Sequence, residues 1–122
     1  MTTNLAGLFV LLALATALFQ IALILGAPLG HMTQGRTERG PLPRAARISA
    51  AVSIVLLLFM SAAMLSAAGR WPGWPIWTGW LTVAMAGIAT LLNAITPSQA
   101  EKQLWLPVSG VMFVAALGVM VF

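Results

Sequence analysis

The sequence predicts an all-α membrane fold: a four-transmembrane-helix bundle built of two inward-pointing hairpins, with both termini outside (N-out/C-out). Three observations carry this prediction. Four apolar stretches, at about 5–26, 48–69, 76–96 and 104–122, each have roughly the ~20 residues a helix needs to cross hydrocarbon, and none contains a charged residue. Across the chain 61% of residues are hydrophobic and 7% charged, with a mean hydropathy of +1.00, too little polar surface to coat a water-soluble globule. Positive charge is concentrated in two connections, 27–47 and 97–103.

The first span, Leu5 to Gly26, is apolar on all sides and shows no polar stripe of helical period. It has no basic residues before it and no A-x-A-like cleavage site following it, so it is expected to be retained and not removed as a signal peptide. Ala27-Pro28-Leu29-Gly30 suits a turn with proline at its second position, and Gly35, Gly40, Pro41 and Pro43 keep the following loop irregular. Pro43 is placed to begin the second helix. Arg70-Trp71-Pro72-Gly73-Trp74-Pro75 forms a tight connection to the third span, which ends at Thr96-Pro97. Ser98-Gln99-Ala100-Glu101 has the S-x-x-E spacing of a capping box, in which each side chain satisfies an orphan amide of the helix start. The fourth helix therefore starts near Ser98, with Pro107 inside it freeing the carbonyl of Gln103 and kinking the helix near the membrane surface.

Charge sets the orientation. Arg36, Arg39, Arg44, Arg47 and Lys102 lie in the first and third connections, against Arg70 alone elsewhere. Positive-inside bias then places both termini on the periplasmic or exterior side of a bacterial inner membrane. Trp71, Trp74, Trp77 and Trp80 mark the outer ends of spans two and three, and Trp105 marks the inner boundary of span four. The two hairpins echo each other, each passing a proline (Pro28 or Pro97) and returning through Leu-Pro and a serine (Leu42-Pro43 to Ser49, Leu106-Pro107 to Ser109). The echo fits a parallel repeat of the kind transporters contain, or simply the tendency of prolines to collect at span boundaries.

The intramembrane polar side chains form a layer: Thr16 and Gln20 in the first span, Ser49 and Ser53 in the second, Thr90 and Asn93 in the third, and Ser109 in the fourth. All but Thr16 fall on the cytoplasmic side of their span centres. An unpaired amide in hydrocarbon costs several kcal/mol, so Gln20 and Asn93 are expected to point into the bundle. Their ordinary role is interhelical bonding; the sharper one is a polar vestibule open to the cytoplasm and closed outward by apolar packing. Small-xxx-small spacings such as Ala13-Ala17, Ala22-Gly26, Ala63-Ala67 and Ala86-Thr90-Ala94 allow close helix approach. Gly110 and Gly118 either form another contact strip or make room for bulky neighbours.

His31, the one histidine, reads as a surface or loop-anchoring group, with titratable gating as the alternative. Arg36, Arg39, Arg44 and Arg47 read as topology determinants and contacts for anionic lipid headgroups. The alternative is a basic pocket for a phosphate or other anion, with Arg44 and Arg47 presented from the first turn of the second helix. The spans hold no carboxylate, and the chain has no cysteine, no Gly-rich phosphate loop and no cluster of metal donors. These absences argue against an enzyme, a metal or a cofactor, and against a proton-coupled antiporter relying on embedded Asp, Glu or His. Nucleic acid is not an expected partner, because the cations sit between apolar runs.

At "GAPLG", "GPLPRAAR" and "NAITPSQAEKQLWLPV" the chain resembles a group of small uncharacterised four-helix bacterial membrane proteins, in which a G-A-P-x-G turn, an L-P-x-x-x-R start to helix two and an N-x-x-[ST]-P-[ST]…E…W-x-P-V start to helix four recur. The matching positions are Gly26, Ala27, Pro28, Gly30, Leu42, Pro43, Arg47, Asn93, Thr96, Pro97, Ser98, Glu101, Trp105, Pro107 and Val108. The resemblance implies a bacterial inner-membrane four-helix protein and brings no activity or cofactor. Small multidrug transporters and fluoride channels share the size of this chain, but the former depend on a first-span glutamate that it lacks, and dual topology needs a balanced loop charge that it also lacks.

The expected function is thus that of a non-enzymatic integral membrane protein binding a partner, a lipid or a small ligand through the polar layer. The alternative is a small-solute transporter or channel using the same layer. Expected partners are the bilayer, anionic headgroups, and either a second copy of the chain or a larger membrane complex.

Overall fold

The computed structural model describes residues 1–38 and 40–122; Arg39 lies outside the described residues. Four helices follow one another: α1 (Thr2–Ile24), α2 (Arg44–Ala67), α3 (Ile76–Ile95) and α4 (Gln99–Val121). Each is long and apolar enough to cross a membrane, and among the described residues there is no strand, only an isolated bridge between Leu29 and Gly40. The chain is a multi-pass membrane protein with a four-helix bundle fold. α1 packs against α2 and α4, and α3 against α4; the α2–α3 contact, which closes the ring, is the least extensive. One end of the bundle carries the connections 25–43 and 96–98 and is called the basic end below. The other carries both termini and the short α2–α3 connection with Trp71 and Trp74.

The helices end where the turn chemistry dictates. Gly26 has φ of +99°, and its N–H donates to Leu23 while that of Ala27 donates to Ala22. Gly69, at φ +82°, repeats the pattern, with its own N–H on Ser66 and that of Arg70 on Leu65. Both are Schellman closures, which satisfy the last helical carbonyls through a left-handed residue. At their starts, α2 and α4 reach beyond the apolar stretches, to Arg44 and Gln99 instead of 48 and 104. Charged and polar residues extend a helix into the headgroup region as readily as apolar ones, so hydropathy understates its length. The echo between hairpins breaks here: Pro43 is the N-cap of α2, whereas Pro107 lies inside α4.

Two apolar clusters hold the bundle. Phe9, Ala13, Met64, Met112, Ala116 and Val119 pack the middle and the terminal half, and Leu23, Leu42, Ala46 and Ala50 join α1, α2 and the first loop at the basic end. Ala13, Ala63 and Ala86 are buried at close helix contacts. A Cβ on Gly118 would lie 2.7 Å from Leu5 Cδ1, so this glycine makes room for a bulky neighbour, while Gly110 has only Thr90 Cγ2, 4.0 Å away. Buried hydroxyls within the apolar half satisfy themselves locally: Ser61 donates to the Leu57 carbonyl at 2.8 Å and Thr82 to that of Thr78 at 2.9 Å.

Candidate functional site

The apolar packing stops halfway along the bundle. Between that level and the basic end lies a cavity of about 690 Å³, within the ~300–1,000 Å³ usual for small-molecule sites. Its walls come from all four helices. Met60, Ala86 and Met112 belong both to its lining and to the core, so the packed half forms its floor. Leu56, Leu92 and Ile95 also line it while being 43%, 57% and 67% exposed, which places a side opening between α2 and α3.

The polar layer divides between this cavity and its surroundings. Thr16, Gln20, Ser53, Asn93 and Ser109 line it. Ser49 and Thr90 are not among the lining residues. Ser49 is exposed and contributes only its carbonyl, which accepts the Ser53 hydroxyl at 3.0 Å. Thr90 returns its hydroxyl to Ala86 at 2.8 Å. Residues three or four apart share a face only approximately, being offset by about 40–60° around the helix, and here that offset separates Ser49 from Ser53 and Thr90 from Asn93.

Gln20 and Asn93 both reach the cavity but differ in how they are satisfied. Asn93 Nδ2 donates across the helix interface to Ser109 Oγ at 2.9 Å and to the Trp105 carbonyl at 3.3 Å. Gln20 Oε1 is buried without a hydrogen-bond partner.

The first loop folds back over the cavity mouth at the basic end, so Thr33, Gln34 and Gly35 join the lining. Gln34 Nε2 donates to the Ala46 carbonyl of α2 at 2.8 Å, and three hydrogen bonds to the start of α4 hold the loop there. Trp105 Nε1 donates to the Met32 carbonyl at 2.8 Å, the Ser98 hydroxyl donates to the His31 carbonyl, and the Gly35 N–H donates to Glu101 Oε2 at 3.1 Å. The reciprocal capping box is only half formed. Ser98 Oγ accepts the Glu101 N–H at 3.2 Å, while the Ser98 N–H turns to Thr96 Oγ1 and the Glu101 carboxylate leaves for the loop. Glu101, read from spacing as a local cap in a connection, is a buried carboxylate in the first turn of α4 and part of the cavity wall. Trp105 likewise is an internal strut, half-buried with its ring 4.9 Å from that of Phe19. The Gln34-Gly35 pair was the one available turn signal for this contact; nothing near Glu101 in sequence points to a partner so far away.

Among the described residues the basic side chains stand apart from the cavity. Arg44 is exposed, and Arg47 reaches back to accepting carbonyls, with Nε on Leu42 at 2.8 Å and Nη1 on Ile24 at 3.4 Å. Arg47 thereby ties the start of α2 to the end of α1, so the two arginines do not form a pocket together. Arg36 is half-buried in the loop. His31 sits in a short 3₁₀ turn at Gly30–Met32; its carbonyl anchors Ser98, and its Nδ1 is buried without a partner. Among the described residues no three His, Asp or Glu side chains gather as a metal site requires.

Comparison with known proteins adds no relative: no family model matches the chain, and no curated protein or solved structure is detectably similar.

Proposed function

We propose that this chain is a non-enzymatic protein of a bacterial inner membrane that holds a small ligand in the cavity of its basic half, with that end cytoplasmic and both termini periplasmic. The single observation that carries the ligand reading is the cavity itself, about 690 Å³ with apolar walls and a few convergent polar groups. An interhelical bonding role accounts for Asn93, whose amide donates to Ser109, but not for Thr16 and Ser53, which line the cavity while their hydroxyls bond within their own helices. The orientation rests on Arg36, Arg44, Arg47 and Lys102 lying together at one end.

Native mass spectrometry from mild detergent tests the ligand reading. The wild-type chain should retain a defined small molecule, and Ala89→Trp, which fills the cavity from α3, should release it. A wild-type protein that carries nothing refutes the proposal. Because the chain has no cysteine, Arg36→Cys tests orientation directly: a membrane-impermeant maleimide should label it only after cells are opened, and labelling in intact cells overturns the topology.

Transport of a small solute through the same cavity is the second reading, favoured by Pro107 interrupting the hydrogen bonding of α4 beside lining residues Trp105, Val108 and Ser109. Solute flux in proteoliposomes that falls on Asn93→Leu would select it.

A further inference from the structure

We propose that the cavity is loaded sideways from the bilayer, through the opening between α2 and α3, and that its ligand is an amphiphile with its hydrocarbon chain on the apolar floor and its polar head beneath the first loop. The inference rests on the ligand-binding reading above and adds the chemical class and the route of entry.

The end of the bundle is covered. The first loop crosses it from α2 to α4 and is fastened on both sides. Gln34 Nε2 donates to the Ala46 carbonyl in the first turn of α2 at 2.8 Å, while the His31 and Met32 carbonyls and the Gly35 N–H are bound by Ser98, Trp105 and Glu101 of the α4 side. Between these fastenings the loop lies directly on the α3–α4 turn: a Cβ on Gly35 would be in van der Waals contact with Pro97 Cδ and Thr96 Oγ1, 3.8 Å from each. Thr33 and Thr96, which line the cavity beneath this strap, are buried.

The side is open. Leu56, Leu92 and Ile95 line the cavity and are also exposed on the outer surface, and α2 and α3 have the least extensive contact around the ring. Their covalent connection lies at the opposite end of the bundle, where the Phe59 and Trp74 rings meet with centroids 5.3 Å apart. All three border residues fall within the apolar stretches 48–69 and 76–96. Hydrocarbon therefore stands outside this opening, and a polar solute arriving from water would have to shed its hydration to reach it.

The lining supplies the class. Leu57, Met60, Met85 and Met112 belong both to the wall and to the packed core at the floor, where thioethers adapt to an irregular apolar chain and water finds no polar partners. Thr33, Thr96 and Glu101 gather at the loop end. Hydroxyls both donate and accept, so this end can satisfy an uncharged polar head. Polar at the basic end and apolar at mid-bundle, the cavity repeats the gradient of the leaflet beside it. A molecule already aligned among the lipids passes in without turning over.

The test is photo-crosslinking of the full chain in phosphatidylcholine nanodiscs by dodecanol with a diazirine at its chain end, irradiated at increasing times after addition, with adducts located by peptide mass spectrometry. Met60, Ala86 and Met112 are buried, so labelling there reports occupancy of the floor and not contact with the outer surface. Saturable floor labelling is expected, competed by plain dodecanol and lost in Ala89→Trp; a diazirine beside the hydroxyl should instead mark 33–35 and 96–101. Leu92→Trp, at the opening, should slow floor labelling roughly tenfold or more, while Gly30→Ala, which loosens the loop, leaves its rate unchanged. A rate that Leu92→Trp does not lower, or that Gly30→Ala raises, overturns the route, and labelling confined to outward-facing residues overturns the class. If native mass spectrometry shows a retained molecule while dodecanol misses the floor, the cavity reading survives and this inference falls; no retained molecule and no floor labelling sinks both. The same diazirine on one chain of phosphatidylcholine resolves the source: floor labelling by it identifies a bilayer lipid, and labelling by dodecanol alone a free single-chain amphiphile, each within the proposed chemistry.

Discussion

Replacing Trp105 by phenylalanine removes the indole N–H with the few ring atoms that carry it and keeps an aromatic side chain. The ring stays against Phe19, whose centroid lies 4.9 Å away, and α4 keeps an apolar residue at that position. What is lost is the 2.8 Å bond from the indole to the Met32 carbonyl, one of three ties that join the first loop to the start of α4. A hydrogen bond of this kind contributes a net ~0.5–1.5 kcal/mol, and a carbonyl left buried without a donor costs ~1–3 kcal/mol. Met32 is half-buried, so water recovers part of that loss, and the expected destabilisation is about 1–2 kcal/mol. The Ser98 and Glu101 ties persist, so the effect is a local opening of the loop and not unfolding of the bundle. Hydrogen exchange read by mass spectrometry is the assay: amides 33–36 should exchange roughly tenfold faster, since ~1.4 kcal/mol is tenfold in an opening equilibrium, while those of α1 and α3 stay as in wild type. If exchange in the loop is unchanged while α4 loosens, Trp105 acts through packing alone and the account of the loop as a hydrogen-bonded cover is wrong.

Gln20→Leu should raise stability in detergent unfolding by about 1–3 kcal/mol, because it removes a buried carbonyl that has no partner; a loss of stability would mean that the amide is already satisfied in the ligand-free protein. Gly30→Ala should destabilise the loop by about 1–3 kcal/mol, since an added Cβ would lie 2.8 Å from the Gly40 carbonyl oxygen, the same atom that accepts the Gly30 N–H at 2.9 Å. Limited proteolysis between residues 30 and 43 reads this directly, and wild-type resistance would refute it.

Gln20 and Asn93 line the cavity for a shared physical reason. Gln20 and Asn93 carry amides that hydrocarbon penalises heavily, so their composition alone directs them away from lipid, wherever their partners are. Ser49 and Thr90 carry hydroxyls that bond to their own helix, so the membrane exerts no comparable demand, and helix rotation leaves both outside the cavity wall. Arg44 and Arg47 stand adjacent to one another at the start of α2 as spacing requires, yet Arg47 is claimed by carbonyls at the end of α1, a destination no local pattern encodes.

Four membrane-crossing helices, their breaks at Gly26, Gly69 and Pro97, and the concentration of positive charge at one end were determined by the sequence by itself, because hydrocarbon forces each span to close its own backbone hydrogen bonds and because turn chemistry is local. The loop folded over the basic end, the withdrawal of Glu101 from its cap to Gly35, the inward turn of Trp105 and the cavity they enclose were decided only by the tertiary structure. Each depends on a donor and an acceptor from distant parts of the chain meeting at one place, and that meeting is a property of how the helices pack, not of any stretch along them.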